Sequence, residues 1–211
     1  MTLRSHLIGL FPALHLTLIA ISIIALLYHL SVYTLLLLIF TVYLFPIICF
    51  HLHNWMYPLI EGSSVLNHKE YIPWWGTHQI QSVLNALPAF ESILKIVPGA
   101  YSMWLRLWGS KIGRNVYWTP RIDIVDRSLM EIKDNVIFGH KVGCYAHVVS
   151  KRNDILELYV KKIQIGGSTF IGAGTNIGPG AVIGDGNMLP LLSVVGINQH
   201  IKSIIKCENG L

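Results

Sequence analysis

Aliphatic side chains recur at every sixth position along the back half of the chain. Seven of them follow one another in phase: Ile165, Ile171, Ile177, Ile183, Leu189, Val195 and Ile201. This period fits neither an α-helix, which repeats about every 3.6 residues, nor a flat strand, which repeats about every two. It is typical of a solenoid with three short faces, where one inward-pointing side chain per face gives a coil of 18 residues.

Weaker beats at the same spacing precede this run. They fall at Ile112, Trp118, Ile124, Ile132, Phe138 and Cys144. We predict a triangular prism of about four parallel coils over residues 111–203, interrupted near 125–131 and 150–164. Cys144 would then be a small core residue that points inward.

Glycine follows each of the first four regular aliphatic residues, Ile165, Ile171, Ile177 and Ile183. We interpret these glycines as corner residues, because Gly tolerates backbone angles that other residues resist. Small or polar side chains recur four positions after the aliphatic residue, where a narrow prism has little room: Thr169, Thr175, Ala181, Asn187 and Ser193.

The front half contains two long apolar runs, at 7–30 and 32–50, without any Asp, Glu, Lys or Arg. Each is close to the roughly 20 residues that cross a bilayer as a helix. Only a short turn joins them, so residues 1–52 are predicted to form a transmembrane hairpin. The apolar region is too long for a cleaved signal peptide, and no small-residue cleavage site follows it.

Basic residues near the ends of the spans set the orientation of the hairpin. Arg4 precedes the first span, the connecting turn has no Lys or Arg, and the basic back half follows the second span. Both ends of the hairpin, and the back half, are therefore expected in the cytoplasm. Pro12 and Pro46 are expected to kink the spans. His15, an ionisable group inside the first span, has either a functional role or a neutral hydrogen-bonded packing role.

Residues 53–110 show three short amphipathic helical patterns, separated by Pro88 and Pro98. Their apolar positions are Ile80, Val83, Leu84 and Leu87, then Phe90, Ile93, Leu94 and Val97, then Tyr101, Trp104, Leu105 and Trp108. Five of the six tryptophans lie here: Trp55, Trp74, Trp75, Trp104 and Trp108. We predict a collar of helices at the membrane surface, where Trp is favoured. Packing of the same stripes on the following domain is the alternative.

The composition separates the two halves of the chain. Of 211 residues, 53% are hydrophobic and only 13% are charged, with a net charge of +5. Residues 1–110 hold four Lys/Arg and three Asp/Glu, whereas residues 111–211 hold twelve and eight. The three cysteines, Cys49, Cys144 and Cys207, are odd in number and lack metal-like spacing, so reduced thiols are expected. No phosphate-binding loop, dinucleotide fingerprint or Ser-His-Asp nucleophile motif occurs, and no nucleic-acid partner is expected.

The repeats "IGGSTF IGAGTN IGPGAV IGDGNM", with the approach "WGSKIGRNVY", resemble the hexapeptide-repeat acyltransferase superfamily over residues 105–203. With the preceding hairpin, the chain is most similar to the membrane-attached units at the ends of polylysine-type peptide synthetases. The resemblance implies a left-handed parallel β-helix and a homotrimer with active sites in the clefts between prisms. It also implies transfer of an acyl group from a thioester to a hydroxyl or amine, with a histidine as base.

Three histidines in the back half are candidates for that base: His140, His147 and His200. His147 comes just before the interruption at 150–164, where a loop can roof a cleft. The superfamily also places its histidine ahead of such an excursion, which favours His147, with His140 as an accessory group. Asp126 and Asp123 lie at the first interruption, where a carboxylate either orients the base, holds an amine acceptor or caps a turn.

Donor binding has weaker candidates. Four basic residues flank the second interruption: Lys151, Arg152, Lys161 and Lys162. Lys161 and Lys162 above all could meet phosphates of coenzyme A or of a carrier protein's phosphopantetheine, although a solvated basic face is the default for such residues. Gly172 and Gly178 are further candidates for binding the donor, and backbone N–H groups of the glycine-rich coils could stabilise an oxyanion.

Two other functional classes stay open. A γ-type carbonic anhydrase uses the same solenoid with zinc held by histidines, but His140 and His147 are seven positions apart, without the tighter pair expected. A membrane-tethered trimeric scaffold without activity is the other. Residues 204–211 are predicted to form a tail, whereas many members of the superfamily add a helix that helps bind coenzyme A, so a carrier-protein thioester stays open as the alternative donor. No bound metal or tightly bound cofactor is expected.

Overall fold

The computed structural model describes residues 2–66 and 70–204. The chain divides into two compact units. The first comprises the residues up to Ile60 together with Ser64–Phe90, and the second comprises Glu61–Ser63 together with the residues from Glu91 onward. Cys207 and most of the predicted tail lie outside the described residues.

The first unit is helical. Its elements are α1 (Leu3–Gly9), α2 (Phe11–Tyr28), α3 (Val32–Ile39), a π-helical turn (Phe40–Leu44), α4 (Phe45–Met56) and α5 (Pro73–Ala86). Two continuous helical stretches, Leu3–Tyr28 and Val32–Met56, contain 26 and 25 residues with mean hydropathies of 2.4 and 2.5. Both could cross a bilayer by length and composition. Each is irregular beside its proline, at the α1–α2 junction before Pro12 and at the π-helical turn before Pro46.

His15 lies in the interior of this hairpin. It is fully buried, and its Nε2 atom donates to the carbonyl oxygen of Thr41 at 3.0 Å. Thr41 belongs to the π-helical turn, where the regular i→i−4 ladder is interrupted. Its hydroxyl also hydrogen-bonds Ser22 at 3.0 Å. The contacts of His15 are therefore those of the packing role.

The three predicted helical segments after the hairpin are present as α5, α6 (Ala89–Ile96) and α7 (Ala100–Leu107). Three of the tryptophans in residues 53–110, Trp74, Trp104 and Trp108, are buried within the protein, as expected if these stripes pack on protein. Trp55, by contrast, is 81% exposed. An apolar stripe alone does not specify whether it packs against protein or lipid, and most of these rings pack within the protein.

Helix α6 is amphipathic in the opposite sense from an ordinary surface helix. Its charged residues Glu91 and Lys95 are buried, whereas Ile93 and Ile96 are 57% and 72% exposed. The outer face of α6 is therefore apolar, whereas a surface helix in water ordinarily presents charged residues on that face.

The second unit is built mainly from short strands in parallel sheets. The strands are β1 (Gly62–Val65), β2 (Lys111–Ile112), β3 (Asp123–Ile124), β4 (Met130–Ile132), β5 (Ile137–Phe138), β6 (Gly143–Cys144), β7 (His147–Arg152), β8 (Ile155–Val160), β9 (Ile163–Ile165), β10 (Phe170–Ile171), β11 (Asn176–Ile177), β12 (Val182–Ile183), β13 (Met188–Leu189), β14 (Val194–Val195) and β15 (His200–Ile201). Three sheets have the orders β15-β12-β9-β4-β2, β13-β10-β5 and β14-β11-β6-β3, and a fourth has the order β1-β8-β7.

The chain visits the three parallel sheets in rotation, so the pairing register reports the length of each circuit. Ile171 pairs with Leu189 and Ile177 with Val195, which are 18 residues apart. Earlier circuits are longer: Ile124 pairs with Cys144, 20 residues on, and Cys144 pairs with Ile177, 33 residues on. The antiparallel hairpin β7–β8 accounts for the longest circuit.

The six-residue beat does mark the interior. All but the last of its aliphatic and aromatic positions are buried: Ile112, Trp118, Ile124, Ile132, Phe138, Cys144, Ile165, Ile171, Ile177, Ile183, Leu189 and Val195. Burial raises the pKa of the Cys144 thiol to about 12, which fits an inert core residue.

The role predicted for the glycines that follow the beat is wrong. Gly172 has an ordinary backbone conformation, but a Cβ there would lie 2.4 Å from backbone atoms of Pro190 in the next circuit. Left-handed backbone angles occur two residues later instead, as at Gly174, with φ of +70°. The first glycine is thus required by the close approach of stacked strands, and the second by the turn.

Candidate active site

Two interruptions of the beat carry the candidate catalytic residues. The interval from Ile124 to Ile132 is eight residues instead of six, and that from Cys144 to Ile165 is twenty-one. Asp126 lies in the first interruption, and His147 is the first residue of β7 in the second. Because β3 pairs with β6 in parallel, both strands deliver the chain to the same edge of one sheet.

The structure places these two side chains in direct contact. The Nδ1 atom of His147 lies 2.7 Å from Oδ2 of Asp126, and the same oxygen accepts the backbone N–H of Ala146 at 3.1 Å. The Asp126 side chain is only 4% exposed, whereas that of His147 is 18% exposed. Since a carboxylate can only accept, Nδ1 donates, and the lone pair of a neutral ring is on Nε2.

His147 lines an open groove of about 350 Å³. Its lining comprises Tyr145, His147, Val148, Asn176, Ile177, Gly178, Pro179, Val194, Val195, Gly196 and Ile197. The groove follows the outer side of the β14-β11-β6-β3 sheet, and only His147 among its residues is ionisable near neutral pH. It could hold an extended, largely apolar chain with one end at the imidazole.

The outer row of this sheet explains the shape of the groove. The paired outward positions are Asp123, Gly143, Asn176 and Val194. A Cβ at Gly143 would lie within 2.7 Å of the Tyr145 ring, so the glycine makes room for that ring. The row changes from an acidic residue to an aliphatic one along the sheet. Each of these outward positions comes one residue before an inward position of the six-residue repeat, so they could have been identified from the sequence.

A buried charged cluster lies next to Asp126, and the sequence analysis missed it. The guanidinium of Arg127, whose side chain is 1% exposed, donates to the Glu91 carboxylate. The Lys95 ammonium lies 3.7 Å from Glu91 and donates to the Ile122 carbonyl at 2.7 Å. Burial lowers the pKa of Lys95, and the Glu91 charge opposes this shift. The cluster joins α6 to the segment that carries Asp126.

The other predicted site residues are more dispersed. His140 and His200 are exposed, and neither lines the groove. The Lys161 ammonium donates to Oδ1 of Asn198 at 3.1 Å, while Lys162 lies 3.7 Å from Glu61 and 4.0 Å from Glu131.

Gly172 and Gly178 do not present free N–H groups. The Gly172 N–H donates to Leu189 at 3.0 Å, and the Gly178 N–H donates to Val195 at 2.8 Å. These bonds belong to the parallel ladders, so the two groups are engaged before any oxyanion forms. Gly178 still contributes a small surface to the groove. Within residues 2–66 and 70–204, no group of three or more His, Cys, Asp or Glu is placed to hold a metal ion.

No protein-family profile matches the chain, and no curated protein matches its sequence. Solved structures of hexapeptide-repeat acetyltransferases are similar to part of it. A maltose O-acetyltransferase from Clostridium difficile 630 shares 20% identity, covering 53% of this chain and 74% of that chain with a TM-score of 0.42. A hexapeptide-repeat-containing acetyltransferase from Vibrio cholerae O1 biovar eltor, complexed with acetyl coenzyme A, shares 15% identity, covering 55% and 82% with a TM-score of 0.39. Likeness at this level carries no argument about the reaction or substrates of this chain.

Proposed function

We propose that the chain is a membrane-bound acyltransferase that moves an acyl or aminoacyl group from a thioester to a hydroxyl or amine. One observation carries the proposal: the hydrogen bond between the buried Asp126 and His147, which lines an open groove. A solvent-reachable imidazole, oriented by a carboxylate, is the arrangement that general-base catalysis requires.

The reaction follows from the roles of the two ring nitrogens. Nε2 of His147 takes the proton of the acceptor as its oxygen or nitrogen attacks the thioester carbonyl carbon. Asp126 holds Nδ1–H and stabilises the imidazolium. The tetrahedral intermediate then expels the thiolate, which takes the proton back from Nε2. The products are an ester or amide and a free thiol.

The groove is our proposed site for the thioester arm of the donor, coenzyme A or a carrier protein's phosphopantetheine. Lys161 remains a proposed phosphate contact, because an amide oxygen is its hydrogen-bond partner there. Lys162 is a weaker candidate, since two carboxylates lie within 4.0 Å of its ammonium.

We further propose a left-handed β-helix of four coils for the parallel-stranded part, assembled as a homotrimer. Large apolar side chains on the last strands and turns support a subunit contact, since they are widely exposed in the single chain: Met188, Leu191, Leu192, Val194 and Ile197. A protein that is monomeric by native mass spectrometry under gentle conditions would contradict the assembly.

The membrane assignment predicts the sidedness of two sites. A Leu30→Cys substitution places a thiol between the spans, and an impermeant reagent should label it from outside intact cells. An Ile155→Cys substitution in the β7–β8 hairpin should be labelled only after the cells are opened. The parent protein is the control, because it contains the native cysteines. Labelling of Ile155→Cys from outside would reverse the orientation.

The reaction itself is tested by comparing cells that produce the wild type, His147→Ala or His200→Ala at equal levels. We expect at least one acylated lipid or small molecule to disappear with His147→Ala and to persist with His200→Ala, when measured by mass spectrometry. We also expect that one substrate is amphipathic, because about half of the chain lies in the apolar hairpin and the amphipathic helical segments that follow it. Identical profiles in all three would favour the non-enzymatic scaffold.

A further inference from the structure

We propose that the helical hairpin holds one anionic phospholipid in a groove between its two spans. The groove has a volume of about 450 Å³ and lies entirely within the first unit. That volume is within the usual range of about 300–1,000 Å³ for ligand sites. The proposal depends on insertion of the hairpin in a bilayer and not on the acyl-transfer reaction.

The walls of the groove suit a hydrocarbon chain. Leu7, Leu10 and Leu14 form one side, and Leu52 and Met56 form the other. All five side chains are at least half exposed, although they line a concave surface. One acyl chain of a bound phospholipid would cover these side chains along the groove. It would fill a concavity that the straight tails of the bulk bilayer fill poorly.

One end of the groove carries all of its strongly polar groups. Arg4 lies there with its guanidinium 5.5 Å from the centre of the Tyr57 ring. His53 and Tyr71 are joined by a hydrogen bond at the same site. Burial raises the pKa of Tyr71 to about 12, so its hydroxyl stays protonated as a donor. An apolar trough that ends in hydrogen-bond donors matches the form of a phospholipid.

The charge at this end favours an anionic headgroup. Arg4 is the only Lys or Arg in the first 68 residues of the sequence, and the first acidic residue is Glu61. Within residues 2–66 and 70–204, Arg4 forms no ion pair with a carboxylate. His53 is 5% exposed, and its Nδ1 has no hydrogen-bond partner among the same residues. A phosphodiester could pair with the guanidinium and accept from neighbouring donors.

The test uses full-length protein in vesicles of equimolar phosphatidylglycerol and phosphatidylcholine with identical acyl chains. After mild detergent extraction, native mass spectrometry counts the lipids retained per chain. We expect one phosphatidylglycerol per chain, and a fall of about tenfold in its preference over phosphatidylcholine for Arg4→Gln, the usual scale for a charge-assisted hydrogen bond. Arg121→Gln, an exposed arginine in the second unit, is the matched control.

A second variant tests the trough independently of the charge. Leu14→Trp fills the groove from a half-exposed position and should abolish retention of both lipids. Circular dichroism and elution profiles identify variants that misfold. If Arg4→Gln disturbs the fold, Leu14→Trp decides. Equal retention of the two lipids by wild type, equal preference in Arg4→Gln and Arg121→Gln, or full retention by Leu14→Trp would each overturn the proposal.

Discussion

Replacement of His147 by Ala is expected to lower the rate of acyl transfer by about 10²–10⁴-fold, the usual contribution of a general base. The loss should fall mainly on kcat, because the groove proposed to hold the donor keeps its other walls. Some loss of melting temperature is expected as well, because the imidazole is only 18% exposed and the buried Asp126 carboxylate loses a hydrogen-bond donor. Steady-state kinetics and thermal denaturation of purified protein measure both effects.

Two companion variants separate the roles of the neighbouring groups. His140→Ala, the matched control, should cost much less, because His140 is exposed and outside the groove. Asp126→Asn should reduce kcat, because an amide holds Nδ1–H and stabilises the imidazolium less than a carboxylate does. Unaltered activity in His147→Ala would remove this residue from the mechanism and shift attention to His140.

Glu91→Ala is expected to destabilise the second unit by about 3–5 kcal/mol, because it leaves the buried Arg127 guanidinium without its counter-charge. Lys95 can release its proton in response, but an arginine cannot. The corresponding fall in melting temperature is roughly 6–20 °C for a chain of this size. Tryptophan fluorescence is a suitable probe, since the Trp104 ring centre lies 5.7 Å from the Arg127 guanidinium.

An exposed pair with the same acid provides the control. Glu131 lies 3.8 Å from Lys111 at the surface, so Glu131→Ala should cost no more than about 1 kcal/mol. The double variant Glu91→Leu/Arg127→Met should recover most of the stability, because it removes Glu91 and Arg127 together and the remaining buried Lys95 can release its proton. A Glu91→Ala protein as stable as Glu131→Ala would show that the buried cluster does not hold α6 to the Asp126 segment.

The repeat made much of the second unit predictable. One inward residue every six positions is a local requirement of a narrow three-faced core, so the burial of Ile171 and Ile177 could be predicted directly from the repeat. The same logic placed His147 outside the core and at the edge of an interruption. The proximity of Asp126 was suggested only by its position at the other interruption.

Contacts between distant segments were not predictable in this way. Glu91 and Lys95 are four residues apart on a helix, a spacing that ordinarily indicates a solvated pair. Nothing near them in the sequence predicts their contact with Arg127. Lys162 was predicted to be a solvated basic residue or a phosphate contact. In the structure its backbone N–H donates to Glu61, which is 101 residues away in the sequence. The predicted role of the glycines was wrong for a different reason. Clashes between stacked strands depend on the neighbouring circuit and not on local backbone preference.

The β7–β8 hairpin leaves and rejoins the repeat at equivalent points, adding fifteen residues to an 18-residue circuit. Its exposed residues can therefore vary without shifting any strand of the three parallel sheets, whereas Leu158 and Val160 are buried. His147, its first residue, remains hydrogen-bonded to Asp126. In the proposed enzyme, this arrangement would keep the base in place while exposed hairpin residues select the acceptor, and changing those residues offers a route to new acceptors.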